Sequence, residues 1–384
     1  MAPTPQKPRK PLAGVRVLDF STLLPGPMAT LILAEAGAEV IKLERPGSGE
    51  DMRAYPPMVT QDSGVNFALL NRGKRSLAVD LKDPASVEQV KALVKDTDVL
   101  VEQFRPGVMD RLGLGYEAVK ALNPAIVYCS ITGFGQTGPK AQLAAHDLNY
   151  MSETGILNLG ADSRGDPVLP PVLVADIGGG TMPAVISILL ALREAEKTGE
   201  GAYLDVAMAD NLFAWGYWAL GERAAGKGDP KPGGELVTGG TPRYQVYRCA
   251  DGRWLACAPL EPKFWANFCE VINLDHALRD DARDPQATTA EVRAIIASRT
   301  SADWLEAFDG VDACVTLVKS ISEAAGDPHF RQRGLFSGSM QAGSTAMIPL
   351  PPPIAPIYRD PEGGQSFPAL GDANEDLMPD LGKD

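Results

Sequence analysis

The chain has 384 residues, is 45% hydrophobic and carries a formal net charge of −13. An acidic surface repels the phosphate backbone and excludes general nucleic-acid binding, although a few clustered arginines still make a local anion site. The length exceeds what one core serves, so two domains are expected, and five scattered cysteines without a CxxC pair indicate free thiols, a reducing cytoplasmic setting and no metal site.

The lead-in MAPTPQKPRKPLAG is Pro-rich and basic with no apolar h-region, so it reads as disordered and not as a signal peptide. GVRVLDFS is an apolar strand. A helix begins after Pro25-Gly26-Pro27 and stops at Gly37, and AEVIKLE is the next strand. SLAVDLK, Ser76 to Lys82, is a further strand, DPASVEQVKALVKDT a capped amphipathic helix and DVLVEQF a strand. RPGVMDRLGLGYEAVKALN runs from loop into helix, and AIVYCSITGF is a strand. Strands alternating with helices at this spacing specify an α/β class: a doubly wound, Rossmann-like parallel sheet. Only PGP follows the first strand, where a dinucleotide site would show GxGxxG.

A long helical region runs from Ala175 to Arg193. Its apolar part opens with three glycines, contains Pro183 and ends at Arg193-Glu194, which fits a buried helix better than a membrane span. GAYLDVAMADNLFAWGYWAL is strand then helix, and residues 221–240 are Gly-rich and charged, as in a linker. YQVYRCADGRWLACAPL is a hairpin turning at Asp251-Gly252. Helical material from Glu261 to about Gly326 completes a smaller α+β domain. The Pro-rich end crosses the surface.

Three titratable residues sit where an apolar element meets a turn, the place where α/β folds put chemistry. His146 opens a helix, Asp176 ends the run PPVLVA ahead of the glycines, and Glu261 follows the strand WLACAPL. Each has a plainer reading: an exposed helix-start histidine, an N-cap, a surface carboxylate. Glycine runs, too, more often permit close packing than bind a ligand. Arg45, Lys82, Arg105 and Arg111 each follow a predicted strand, and four cations on one rim suit a polyphosphate.

Taken together, LPGPMATLILAEAGAEVIKLERPG, VDLK, VEQFRPGVMDRLGLG, ITGFGQTGPKAQLAAHDLNYMSETGIL, PPVLVADIGGGTM, GGTPRYQVYRCADGRW and LEPKF resemble the family III CoA-transferase superfamily (CaiB/BaiF type), and within it the α-methylacyl-CoA racemases. The resemblance is collinear from about residue 12 to 270. It implies an acid/base pair at His146 and Asp176, with Glu261 supporting the histidine. It also implies CoA contacts at Arg45, at Val79, Asp80, Leu81 and Lys82, at Gln103, Phe104 and Arg105, at Arg111, and at Ala145, Asp147, Leu148, Asn149 and Tyr150. No metal or organic cofactor is implied beyond the CoA carried by an acyl-CoA substrate, and no membrane partner. An interlocked homodimer is implied, its active site formed by the large domain of one chain and the small domain of the other. The large domain would span 1–224 and be completed by 331–384, with the small domain at 225–330. The implied reaction inverts the α-carbon of a 2-methylacyl-CoA by moving a proton between two bases. The alternatives are CoA transfer through an aspartyl-CoA at Asp176 and CoA binding without turnover. The racemase version is favoured by His146 with Glu261, and by a small-domain loop with only Gly239-Gly240. Arg243, where an aromatic residue is common in the racemases, narrows or charges the acyl pocket.

Overall fold

Six short apolar runs form the central sheet of the computed structural model, which describes residues 9–343, 345–359 and 366–379. They are β1 (Arg16–Asp19), β2 (Glu39–Glu44), β3 (Arg75–Ala78), β4 (Val99–Glu102), β5 (Val127–Thr132) and β6 (Ala202–Ala207). All pair in parallel, in the order β3-β2-β1-β4-β5-β6. Helices α1 (Pro25–Glu35), α2 (Pro84–Val94) and α3 (Tyr116–Leu122) supply crossovers. The later helices α4 (Asp147–Glu153) and α5 (Met182–Thr198) lie between β5 and β6 in sequence. Burial on both faces explains why every residue of β4 and β5 is inaccessible. Leu18, Ile41, Leu77, Leu100 and Tyr128 of the strands pack against Val87, Val90 and Val94 of α2 and Val119 of α3. The doubly wound sheet expected from the sequence is therefore present. Strand order reverses between β1 and β4, so the crevice outside the carboxyl ends of those two strands is the natural ligand seat.

Beneath that crevice lies a fully buried polar cluster. Asp19, at the end of β1, accepts from Thr30 of α1 (2.6 Å) and pairs with Lys74 (3.1 Å). Lys74 also donates to the Pro27 carbonyl (2.9 Å) and to Asn71 (2.8 Å). Burial pushes the Asp19 carboxyl up, but the charges of Lys74 and Lys42 outweigh it and hold Asp19 far below the usual carboxylate range. Lys74→Met, which strands that carboxylate, will cost about 3–5 kcal/mol in guanidinium unfolding. Combining it with Asp19→Asn will recover much of the loss; equal stability of Lys74→Met and wild type would show that the cluster holds nothing.

The open edge of β3 is closed by the chain's far end. Asn374 exchanges two hydrogen bonds with the Ala78 backbone (2.9 Å each), and Asp372 accepts from Ser76 N–H (2.7 Å). A side-chain ladder thus takes the place of a neighbouring strand and protects the edge. Helix α5 packs its inner side on the sheet. The whole helical run Ala175–Thr198 is long and apolar enough to cross a membrane by composition, and half of its apolar window is buried within the fold. Its outer side leaves Ile186 and Leu190 exposed.

The chain divides into two units. The first holds the described residues up to Thr154, Pro170–Trp215 and those from Pro328 onward; the second is Gly155–Leu169 with Gly216–Asp327. The second unit has an antiparallel sheet of β7 (Gln245–Arg248), β8 (Trp254–Cys257) and β9 (Val315–Leu317), backed by α6 (Pro262–Ile272), α7 (Pro285–Ile296) and α8 (Ser301–Ala307). Tyr247, Leu255, Phe268, Ile296 and Trp304 form its core. The β7–β8 hairpin turns at Asp251-Gly252 as its sequence requires, with Gly252 at φ +82°. The stretch from Glu261 to Gly326 is not wholly helical: Val315–Leu317 joins β8 as a third strand. A three-residue strand carries too little periodicity to be read before its partner is known.

Candidate active site

Two cavities, each about 400 Å³, open at the switch point of the large unit and share Thr22 and Phe104 in their walls. One extends towards β5, walled by the C-terminal ends of β1, β4 and β5 and by the start of α4. Of the expected site residues it takes Gln103, Phe104, Arg105, Ala145, His146, Asn149, Tyr150 and Asp176. The other extends towards β2 and β3 and takes Arg45, Val79, Asp80, Leu81, Lys82 and Phe104. Arg111, Asp147 and Leu148 line neither cavity. Arg111 ends the short helix Val108–Arg111, whose first residue lines the second cavity. Leu148 is exposed, whereas Asp147 is buried. Thr22, Leu23, Gly133, Phe134 and Met208 also line the first cavity. Sequence reasoning missed them, although Thr22, Gly133 and Phe134 follow β1 and β5 as the carboxyl-end rule requires.

His146 sits at the N-cap of α4 in extended backbone, and its N–H donates to Asn149 Oδ1 (3.0 Å), reciprocating the first turn. The imidazole-bearing residue is exposed and lines the first cavity. Asp176 is not an N-cap. It lies inside a π-helical turn, Ala175–Thr181, that starts at Val174 and continues into α5. π-turns recur at functional sites because they aim side chains that a regular helix would not. The cap comes instead from another helix: Asp147 Oδ1 accepts from the N–H groups of Ala175 (2.7 Å) and Asp176 (2.9 Å). Burial pushes the Asp176 carboxyl up to about 6, and the Asp147 charge adds to the rise while His146 opposes it. A carboxyl so raised exchanges protons near neutrality, as an acid/base group must. Tyr150, bonded to the Ala145 carbonyl (2.8 Å), is pushed up to about 12 by burial and by Asp176 and Asp147, and remains a neutral wall.

The glycine run behind Asp176 serves packing. A Cβ on Gly178 would meet the Trp215 ring at 2.5 Å, and one on Gly179 the Met208 carbonyl at 2.3 Å. The Gly178 and Gly179 carbonyls accept from Trp215 Nε1 (3.3 Å) and Asn211 (2.8 Å). Both glycines are buried and neither lines the cavity.

The first turn of α1 departs from the anion seat usual in this strand order. In dinucleotide folds the first helix offers backbone N–H groups to the pyrophosphate. Here Pro25 and Pro27 have no N–H, Gly26 N–H donates to Gln103 Oε1 (3.1 Å) and Met28 N–H to the Leu24 carbonyl (2.9 Å). The first turn of α1 has no donor left to give. Leu23, just before it, is held at φ +62°, a conformation that costs a non-glycine residue about 1 kcal/mol or more. The cations fall on side chains instead. Exposed Arg45, ion-paired with Asp51, and exposed Lys82 rim one cavity, and exposed Arg105 rims the other. Asp80 points its charge into the turn, accepting from Lys82 N–H (2.9 Å).

In the smaller unit Glu261 is the exposed N-cap residue of α6, with no capping hydrogen bond from its side chain. Arg243 is committed within that unit. Its guanidinium grips Asp281 (2.6 and 3.1 Å), donates to the Leu260 carbonyl (3.2 Å) and lies 5.1 Å from the Trp265 ring centroid. A guanidinium so engaged fixes the fold of its own unit, a bidentate pairing that leaves little for a ligand.

The family model for CoA-transferase family III matches residues 12–372, well past the point near 270 where recognisable motifs end. The chain is 33% identical to an alpha-methylacyl-CoA racemase of Homo sapiens over 97% of its own length and 93% of the relative's. It is equally, 33%, identical to an acetyl-CoA:oxalate CoA-transferase of Acetobacter aceti, over 96% and 95% of the two chains. Among solved structures, a CAIB/BAIF family protein from Brucella suis superposes with a TM-score of 0.82 at 28% identity, covering 97% of this chain and all of the other.

Proposed function

The chain belongs to CoA-transferase family III, and from that premise we propose that it racemises 2-methylacyl-CoA thioesters. The observation that carries the proposal is the placing of His146 and Asp176 in the lining of one cavity, next to a second with a cationic rim. The CoA phosphates lie against Arg45, Lys82 and Arg105, and the pantetheine arm passes Phe104, common to both cavities. The thioester then lies between imidazole and carboxyl. A thioester acidifies its α-hydrogen because the resulting enolate delocalises onto the carbonyl oxygen. Asp176 or His146 removes that proton from one face and the other group returns one to the opposite face. The raised Asp176 suits both halves of this exchange, since it is a better base than an ordinary carboxylate and is readily reprotonated. Anchoring by the CoA moiety supplies the orientation, and general acid–base assistance contributes roughly 10²–10⁴-fold. Glu261 is proposed as the support of the histidine. A homodimer is proposed as the working state: Ile186, Leu190 and Trp215 are large apolar side chains, all more than half exposed, that a second chain would cover.

The second reading is CoA transfer, favoured by the equal similarity of the Acetobacter aceti transferase. There Asp176 attacks the thioester carbonyl and expels the CoA thiolate, giving a mixed anhydride; the thiolate then attacks the aspartyl carbonyl, releasing the donor carboxylate and leaving an aspartyl-CoA thioester. Incubation with one enantiomer of a 2-methylacyl-CoA in deuterated water separates the two. Racemisation gives deuterium at the α-carbon and loss of optical purity. Transfer gives CoA movement to added free acid and an intermediate trapped by hydroxylamine, with no α-deuterium. That second pattern would overturn the racemase assignment.

A further inference from the structure

Asp147 is out of place as a ligand contact. Its carboxylate is buried, with 6% of the residue exposed, and the cavity wall runs over its neighbours Ala145, His146, Asn149 and Tyr150 without it. What it reaches is the backbone of a different helix: one oxygen receives the N–H groups of both Ala175 and Asp176. We propose that Asp147 is a positioning residue, a clip that fastens the Asp176-bearing turn to the helix that starts at His146 and so fixes the two proton-transfer groups on one cavity. The inference rests on the racemase reading for its consequence, but not for its geometry.

Three physical effects follow from the clip. First, His146 and Asp147 are consecutive, so the backbone that presents the imidazole is the backbone anchored to Asp176. A shift of either helix then moves both groups together. Second, the first-turn amides of a helix stabilise any nearby anion. Left vacant, those of Ala175 and Asp176 would bind a carboxylate, Asp176's own included, and make it a poor base. Asp147 consumes them. Third, the Asp147 charge acts directly on Asp176 and favours its protonated form. The titratable groups coupled to Asp176 are Asp147, His146 and Tyr150. Of these Tyr150, pushed up to about 12, carries no charge near neutrality.

Two substitutions separate fastening from charge. Asp147→Asn keeps an oxygen that accepts both N–H groups and removes the charge. Asp147→Ala removes both. With carbon-labelled aspartate, the Asp176 carboxyl of the full chain is titrated by NMR, and amide hydrogen exchange is read at Ala175 and Asp176. In Asp147→Asn the Asp176 titration moves down by about one pH unit, as loss of a like charge requires, while the two amides stay protected. The acid limb of α-proton exchange from the enantiomer that Asp176 deprotonates moves down with it. In Asp147→Ala both amides lose protection, and α-proton exchange falls about 100-fold, the scale of a 1 Å misplacement, with acyl-CoA affinity retained. An unmoved Asp176 titration in Asp147→Asn, with unchanged protection in Asp147→Ala, overturns the clip. Absence of any α-deuterium in the wild type overturns the racemase reading alone, because titration and protection are read without turnover.

Discussion

Asp176→Asn will reduce racemisation by about a thousandfold or more, within or above the range in which a positioned acid/base group acts. The amide fits the same space and keeps the local packing, yet it neither accepts nor delivers a proton near neutrality. Under the proposed racemisation both directions fail, since Asp176 serves there as base for one enantiomer and acid for the other. The same substitution removes the nucleophile of the transfer reading, so its effect is large under either chemistry. The wild-type pH dependence gives the finer check. Burial and the Asp147 charge raise this carboxyl to about 6. Where Asp176 must be the base, the active form is the carboxylate, so the rate falls as pH drops through about 6. Where it must be the acid, the active form is protonated, and the rate falls as pH rises through about 6. Opposite limbs for the two enantiomers in kcat/KM, measured by polarimetry, check the assignment. Identical limbs would remove Asp176 from proton transfer.

The second large effect belongs to His146. His146→Ala will lower inversion by roughly 10²–10⁴-fold, because an enolate formed by Asp176 can then be reprotonated only from the side it left. Deuterium wash-in therefore persists for one enantiomer with its configuration retained, and is lost for the other. CoA affinity holds, since the cationic rim is untouched. A transferase has no use for a second acid/base group, so His146→Ala would spare CoA transfer while ending racemisation. Inversion at the wild-type rate would exclude His146 from the chemistry.

Much of the large unit was legible because a parallel sheet covered on both faces writes its strands as mainly apolar runs without in–out alternation, as VLVE in β4 and VYCSIT in β5 show, every residue of both being buried. The positions of three of the four expected cations were legible for a related reason, since Arg45, Lys82 and Arg105 follow a strand by one to several residues and line the two cavities, whereas Arg111 lines neither. What escaped were relations between elements. Asp176 reads as an N-cap from its neighbours in sequence, and only the approach of α4 shows that Asp147 caps that turn. The glycine run suggests close packing, but not that Trp215 and Met208 are what packs against Gly178 and Gly179. Arg243 suggests a charged pocket until Asp281, 38 residues on, is found holding it. Buried Asp19 and Lys74, 55 residues apart, bear no mark of their pairing. In each case the deciding partner lies far along the chain, where periodicity and spacing carry no information.

The Pro-Gly-Pro entry to α1 has a consequence for how this scaffold can diversify. A phosphate seat made of peptide groups is fixed by the course of the chain and alters only when the chain does. With that seat closed, the positive charge beside the two cavities sits on guanidinium and ammonium groups at the ends of long, jointed arms. Such a rim can be re-aimed or re-weighted one codon at a time, leaving the sheet beneath untouched.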